Sequence, residues 1–289
     1  MELKHTAARD GRLSSFLREE MRMSAGLVNR LKWQEKLFVN GQSRHTDYPV
    51  TAGDVITVPL EEPEPEYPAE DGAISVLYED QHLLAVDKPA GMLIHPSRTR
   101  MTGTLANRVV GYYRKTGQKS AFHPVTRLDR DTYGVVLIAK NAYVHALLGE
   151  HPMEKVYHGV VYGCPEVPEG TVDAPIARLP LPSLLREVRP DGKPCLTRYR
   201  VLERRGHCSR LALQPITGRT HQLRVHCAFL GCPMVGDPQY GTPESTAFSR
   251  ENGVRSQLLC AKSLRLFHPV TGEPLELCSR LDADFFPEK

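Results

Sequence analysis

Apolar positions in the first sixty residues recur at helical spacing in two sets, Leu13/Phe16/Leu17 and Leu27/Val28/Leu31, the second behind a capping candidate at Ser24. They predict two short amphipathic helices. The pattern then changes: Leu37-Phe38-Val39 runs into Asn40-Gly41, the strongest short hairpin signal, and Gly53-Asp54 introduces Val55-Ile56-Thr57-Val58. Residues 1–60 therefore read as a small α+β unit of helix, helix and hairpin sheet. The next stretch, EEPEPEYPAEDG, holds three prolines, six carboxylates and one large apolar residue, Tyr67. It is expected neither to bury a face nor to continue a helix, which makes 61–72 an acidic, proline-rich linker.

From residue 73 to 289, short strand patterns alternate with turns and a few helices. Val76-Leu77-Tyr78 and Leu83-Leu84-Ala85-Val86 flank a polar turn, and Val135 to Ala139 has the continuous apolar run of a buried strand. Val144, Leu147 and Leu148 predict a helix. Val156 to Tyr162 alternates, which puts Tyr157, Gly159 and Val161 on one face, and Ser209 to Gln214 is a further strand. After Thr217-Gly218-Arg219 comes a helix with Leu223, Cys227 and Leu230 on one side, stopped by Gly231. A last hairpin joins Leu264-Arg265-Leu266 to Leu275-Glu276-Leu277. The fold class expected is α+β.

At 289 residues with 40% apolar and 25% charged positions, the chain is long enough for two domains with real cores. Its apolar runs fall far short of the roughly 20 residues that span a bilayer, and the first fifteen residues are too polar for a signal peptide. Seven cysteines without any Cys-x-x-Cys pair argue against a disulfide framework and the common zinc spacings, so a cytoplasmic protein without a metal or a membrane partner is expected. The formal charge of +3 conceals a partition. Residues 1–60 carry 9 basic against 7 acidic side chains, 61–72 carry 6 acidic and no basic ones, and the remainder carries 28 against 21. Two basic parts around an acidic linker suit contact with phosphate backbones.

Two segments concentrate chemistry. Arg127-Leu128-Asp129-Arg130-Asp131-Thr132-Tyr133-Gly134 sets two carboxylates and two guanidinium groups before an apolar strand. Alone, it reads equally well as a solvated turn. Thr217-Gly218-Arg219-Thr220-His221 places a cation and free backbone N–H groups at a helix mouth, an anion-binding corner or simply a capped helix with a basic face.

RLDRDTYGVVLIAK, KVYHGVVYG, LQPITGRTHQLRVH, GCPMVGDPQYG and LCAKSLRLFHPVTGEP, preceded by VDKPAGMLIHP, stand in an order and spacing that resemble the RluA-type pseudouridine synthases. The resemblance covers residues 73–281. The first sixty residues resemble the alpha-L RNA-binding motif through their spaced leucines, Val39-Asn40-Gly41 and Gly53-Asp54, although Glu35 stands where many members have glycine. This domain order is similar to that of the members acting on large-subunit ribosomal RNA. The implied fold is a catalytic domain with a mixed, mainly antiparallel sheet flanked by helices and loops, behind a small α+β RNA-binding domain.

The resemblance also implies a reaction and the residues that carry it. Uridine in RNA is converted to its C-glycosidic isomer: the N1–C1′ bond breaks, the uracil turns over, and C5 bonds to C1′ before losing its proton. Asp129 matches the essential aspartate, acting either as nucleophile at C1′ or as the base leading to a glycal. A carboxyl enclosed beneath a flipped base is driven towards its neutral form and a neighbouring guanidinium opposes this, a part the family assigns to the position of Arg219. Tyr157 matches the tyrosine that contacts the uracil ring and takes the C5 proton, while Arg127 matches the residue that fills the space left by the flipped nucleotide. By the same resemblance Thr217, Gly218, Thr220 and His221 complete the substrate-binding set, and Gly134, Gly218 and Gly236 read as backbone-geometry residues. Arg18, Arg22, Arg30, Lys32 and Lys36 supply the RNA-binding face. Two departures are Thr126, in place of a histidine, and Tyr133, in place of a serine and bulky enough to reshape the cleft.

Other readings are a metal site at His221, His226, Cys227 and Cys232, a paired-carboxylate glycosidase at Asp129 and Asp131, and a catalytically silent RNA-binding or ribosome-assembly protein. The first has the wrong spacing and the second poor geometry. An isomerisation needs no redox partner, so no cofactor is expected. The partner is RNA, ribosomal ahead of transfer RNA, and the protein is expected to be a monomer.

Overall fold

The computed structural model describes residues 2–60, 67–97, 99–180 and 182–284. Within the N-terminal unit, Glu2–Thr6, Val55–Pro59, Phe38–Val39 and Gln42–Ser43 form a four-stranded sheet in that order. Asn40 and Gly41 both take positive φ, as a tight hairpin between right-twisted strands demands. The first helical segment, Leu13–Ser15, runs on as a π-helical turn over Phe16–Glu20, and Ser24 caps Ala25–Trp33 by accepting the Leu27 N–H at 3.2 Å. Glu35 holds φ at 55°, the left-handed conformation for which a glycine would be the ordinary choice.

The large sheet runs in the order Glu169–Asp173, Leu196–Arg205, Cys208–Pro215, Glu154–Tyr162, Leu259–Phe267, Tyr133–Ala139, Leu83–Lys88, Ser75–Glu79, with Pro274–Cys278 paired to Leu259–Phe267. Tyr133–Ala139 and Leu259–Phe267 are parallel, while the sheet's other described pairings are antiparallel. The architecture is thus α+β with a mixed, mainly antiparallel sheet. Gly134 makes the parallel junction possible: its φ is 105°, and a Cβ there would lie 2.4 Å from the Ala261 carbonyl oxygen.

Strand alternation separates two cores. Leu84, Val86, Val136 and Ile138 face the helix Leu105–Lys115 through Leu105, Val109, Val110 and Tyr113. Leu83, Ala85, Val135, Leu137 and Ala139 point the other way, into one buried cluster with the helix Ala142–Glu150 and with Leu13, Phe16, Leu17 and Met21 of the N-terminal unit. The Tyr143 hydroxyl donates to the Met21 carbonyl at 2.9 Å, so the two parts share an apolar boundary closed by a hydrogen bond.

The first half of the expected linker, Glu61–Glu66, lies outside the described residues. Its second half corrects the reading that 61–72 can bury nothing. Tyr67 packs edge-on against Phe122 and its hydroxyl lies 3.2 Å from His95 Nδ1, while the Glu70 carboxylate accepts the Gly103 N–H. One aromatic ring with a satisfied hydroxyl is enough to dock a chain that is otherwise polar.

Candidate active site

Three pieces of chain converge on a cavity of about 430 Å³: the loop before Tyr133–Ala139, the start of Glu154–Tyr162, and the segment from Pro215 into the helix Gln222–Phe229. Asp129, Tyr157, Arg127, Thr217, Gly218, Arg219, Thr220 and His221 all line it, with Lys155 and Arg224.

The Asp129 loop is fastened from behind. Thr126 Oγ1 accepts the Leu137 N–H at 2.9 Å, so the threonine that departs from the family pattern holds the loop to its strand. Lys88, completely buried, donates to the Pro89, Met92 and Arg130 carbonyls at 3.0, 2.9 and 2.9 Å. Burial pushes its ammonium down to about 8, against the attraction of Asp131 and Asp129. The neighbouring Asp131 is chelated by Arg130.

The guanidinium that meets Asp129 belongs to Arg224. Its Nη1 donates to Asp129 Oδ2 at 3.2 Å, while Nε and Nη2 chelate Asp237 at 2.6 and 2.8 Å and Nη2 also donates to Gln239 at 2.7 Å. The Arg224 and Asp237 side chains are 4% and 0% exposed, against 30% for Asp129. Burial works against the Arg224 charge, and Asp237 and Asp129 together hold it above the ordinary guanidinium value. This corrects the expected pairing with Arg219, whose Nε instead donates to the Pro194 carbonyl at 3.2 Å. Arg219 lies before the helix and is exposed, whereas Arg224 lies in the first helical turn and is buried. The missed signal was the second arginine of LQPITGRTHQLRVH.

Gln222 locks the intervening turn, accepting from the Arg219 N–H and the Thr217 hydroxyl at 2.9 Å each and donating to the Leu196 carbonyl at 2.9 Å. His221 sits at the helix start with φ 58° and ψ 16°, its Nε2 3.9 Å from Asp129 Oδ1. Tyr157 follows a register shift between Val156 and Tyr157 that re-aims its side chain. Burial, reinforced by the charge of Asp129, raises its phenol well above the usual range and keeps it neutral.

Several expectations change. The Tyr133 ring packs with Val160 and Cys260 and its hydroxyl donates to the Asp282 carbonyl at 3.2 Å, so its bulk is spent away from the cleft. Gly218 has open space where a Cβ would stand, so backbone geometry does not demand glycine there, whereas Gly236, with φ 78°, would drive a Cβ to 2.2 Å from the Ser256 carbonyl oxygen. His226 is a core residue, its nitrogens 2.9 Å from Thr197 Oγ1 and 3.0 Å from the Ala174 carbonyl. In the N-terminal unit Arg18 and Arg22 are exposed and Arg30, Lys32 and Lys36 half-buried; Arg18 also donates to the Met23 carbonyl.

A carboxylate and a tyrosine line one hollow, with a guanidinium braced behind the carboxylate. Residues 82–229 match the model of the RNA pseudouridylate synthase family. An uncharacterized RNA pseudouridine synthase, YjbO of Bacillus subtilis, is 35% identical over 92% of this chain and 94% of its own length. Ribosomal large subunit pseudouridine synthase D of Xanthomonas campestris is 39% identical over 74% of this chain and 68% of its own. Among solved structures, human RNA pseudouridylate synthase domain containing 1 superposes with a TM-score of 0.58 at 28% identity, over 72% of this chain and 85% of that one. The chain belongs to the RluA-type RNA pseudouridine synthases, and is an isomerase acting on RNA.

Proposed function

We propose that the protein isomerises uridine in large-subunit ribosomal RNA, with Asp129 acting at C1′ of a nucleotide flipped into the cavity. The observation that carries this reading is the Asp129 carboxylate held at 3.2 Å by Arg224 inside the 430 Å³ hollow that Tyr157 also lines. Arg224 supplies the opposite charge and fixes the direction of Oδ2, and Asp237 prevents the arginine from following the carboxylate into the cavity. Asp129 then breaks N1–C1′, by addition to C1′ or through a glycal, and the released uracil turns within the hollow until C5 faces the sugar.

Tyr157, kept neutral, serves as a relay that takes the C5 proton as its own passes to the Asp129 carboxylate, which is free again once C5 has bonded to C1′. Arg127, exposed at the rim, enters the stack in place of the flipped nucleotide, and Arg219 with Thr217, Gly218, Thr220 and His221 meets the nucleotide and its phosphates. Arg18, Arg22, Arg30, Lys32 and Lys36 extend the contact to structured RNA, in keeping with an alpha-L module over residues 1–60, a linker at 61–72 and a catalytic domain from 73. The ribosomal substrate is supported by the names of relatives such as synthase D of Xanthomonas. On this reading the protein is a monomer working in the cytoplasm, with RNA as its partner and without a cofactor.

The test is tritium release from a large-subunit ribosomal RNA transcript carrying 5-tritiated uridine. Wild type is expected to release tritium and form pseudouridine, and Asp129→Ala to do neither while still binding the transcript. A wild type that binds and releases nothing would establish a silent RNA-binding protein.

A further inference from the structure

Tyr240 touches the site in three ways. Its hydroxyl accepts the Arg186 backbone N–H at 3.0 Å and lies 2.7 Å from His221 Nδ1, and its ring lies beneath the Arg224 guanidinium, Cζ 4.9 Å from the centroid. A phenol has one proton to give. A backbone N–H can only donate, so the phenol receives that bond on one of its lone pairs, which leaves its own hydrogen available to Nδ1. Where the phenol donates to Nδ1, a neutral imidazole carries its hydrogen on Nε2.

The surroundings keep the ring neutral. Burial is the largest influence and disfavours the imidazolium; Arg224 and Arg186 act in the same direction, while Asp129 and Asp237 oppose them, and the balance falls below the usual histidine value. The edge bearing Nε2 faces Asp129 Oδ1 across 3.9 Å, too far for a hydrogen bond. A donor is therefore held beside the carboxylate without being used up by it. The left-handed backbone of His221 presents the ring to both Tyr240 and Asp129, a strained conformation of the kind that collects at functional sites.

We propose that Tyr240 is a positioning residue that holds His221 as the Nε2–H tautomer, and that this N–H donates to O2 of the target uracil as the glycosidic bond breaks. The inference rests on Asp129 acting at C1′. O2 is attached to C2, next to the N1 that leaves C1′, and the 3.9 Å gap between Nε2 and Asp129 Oδ1 leaves this N–H free to reach it. When N1–C1′ breaks, its electron pair passes into the uracil and spreads over O2 and O4. His221 meets that charge with a hydrogen bond and transfers no proton. Bonding of C5 to C1′ and loss of the C5 proton then restore the neutral ring.

Long-range nitrogen–proton correlation spectra of protein carrying nitrogen-15 histidine, with the His221 signals assigned by their loss in His221→Gln, report the tautomer without RNA. At pH 7.5 wild type is expected to show the Nε2–H pattern and Tyr240→Phe to gain the Nδ1–H form. In single-turnover tritium release from a large-subunit ribosomal RNA transcript, His221→Ala is expected to be slower by about 10²-fold, as for loss of one donor to a developing oxyanion. His221→Gln, which keeps an N–H donor, should recover part of that rate, and Tyr240→Phe should be slower by about tenfold with its transcript affinity unchanged. An Nδ1–H tautomer in wild type, a Tyr240→Phe protein with wild-type tautomer and rate, or a His221→Ala defect confined to RNA affinity would overturn the proposal. A wild type that releases no tritium would instead sink the functional reading, and the spectrum would still decide the tautomer.

Discussion

Arg224 joins Asp129 to Asp237: one guanidinium donates to the first at 3.2 Å and chelates the second at 2.6 and 2.8 Å. A half-exposed carboxylate thus inherits its orientation from a completely buried one. Arg224→Lys retains a charge but loses the planar fork, and an ammonium cannot chelate Asp237 while still reaching Asp129. Single-turnover tritium release is expected to fall by about 10²-fold or more, the scale on which a pre-aligned catalytic group matters. Asp237→Asn leaves the buried guanidinium without its main partner and is expected to destabilise the fold by about 3 kcal/mol or more, read from urea unfolding.

Lys88 gives the protein an alkaline stability signature. Its folded value of about 8 lies below the value of about 10.4 for a lysine in an unfolded chain, so between these limits the unfolded state holds the extra proton. Unfolding then takes up a proton, and raising the pH opposes it. The contribution of Lys88 should be flat below pH 8 and should grow from there to about pH 10.4 by at most about 1.4 kcal/mol per pH unit. Comparing urea midpoints of wild type and Lys88→Met across that range isolates it; parallel curves would exclude the buried ammonium as the source.

Glu35 occupies left-handed backbone, φ 55°, at an exposed turn. Glu35→Gly removes the clash of Cβ with the following carbonyl and should stabilise the fold by about 1 kcal/mol, less whatever the freer unfolded chain takes back. The change lies in the N-terminal unit, so tritium release should be unaltered.

Gly134 presents the opposite case. A Cβ would meet the Ala261 carbonyl oxygen at 2.4 Å, and φ is 105°. Gly134→Ala should destabilise the protein by about 1–3 kcal/mol from backbone conformation alone, with the displaced parallel junction adding to this. Because Tyr157 is paired to Ala261, catalysis should fail along with stability, visible as lost tritium release in whatever fraction remains folded.

What the sequence by itself determined was local. Asn40-Gly41, the Ser24 cap, the left-handed Gly231 and the apolar run from Leu83 to Val86 depend on residues within a few positions of one another, and each element stands where the pattern put it. The caps of the helices Leu105–Lys115 and Pro243–Glu251 are also legible, at Thr104 with Asn107 and at Thr242-Pro243, and the first of these helices carries an apolar stripe at Leu105, Val109, Val110 and Tyr113. The ordered motifs placed Asp129, Tyr157 and the Thr217–His221 turn around one cavity. Tertiary structure alone decided which of two arginines five residues apart meets the aspartate. That choice depends on the left-handed turn at His221, on Asp237 thirteen residues beyond Arg224, and on the Pro194 carbonyl that holds Arg219. It likewise sent Tyr133 to Asp282 and docked Tyr67 against Phe122. Backbone propensity acts over a turn or two of chain, whereas the direction of a long polar side chain is set by whichever partner the fold brings within about 3 Å, wherever that partner lies in the sequence.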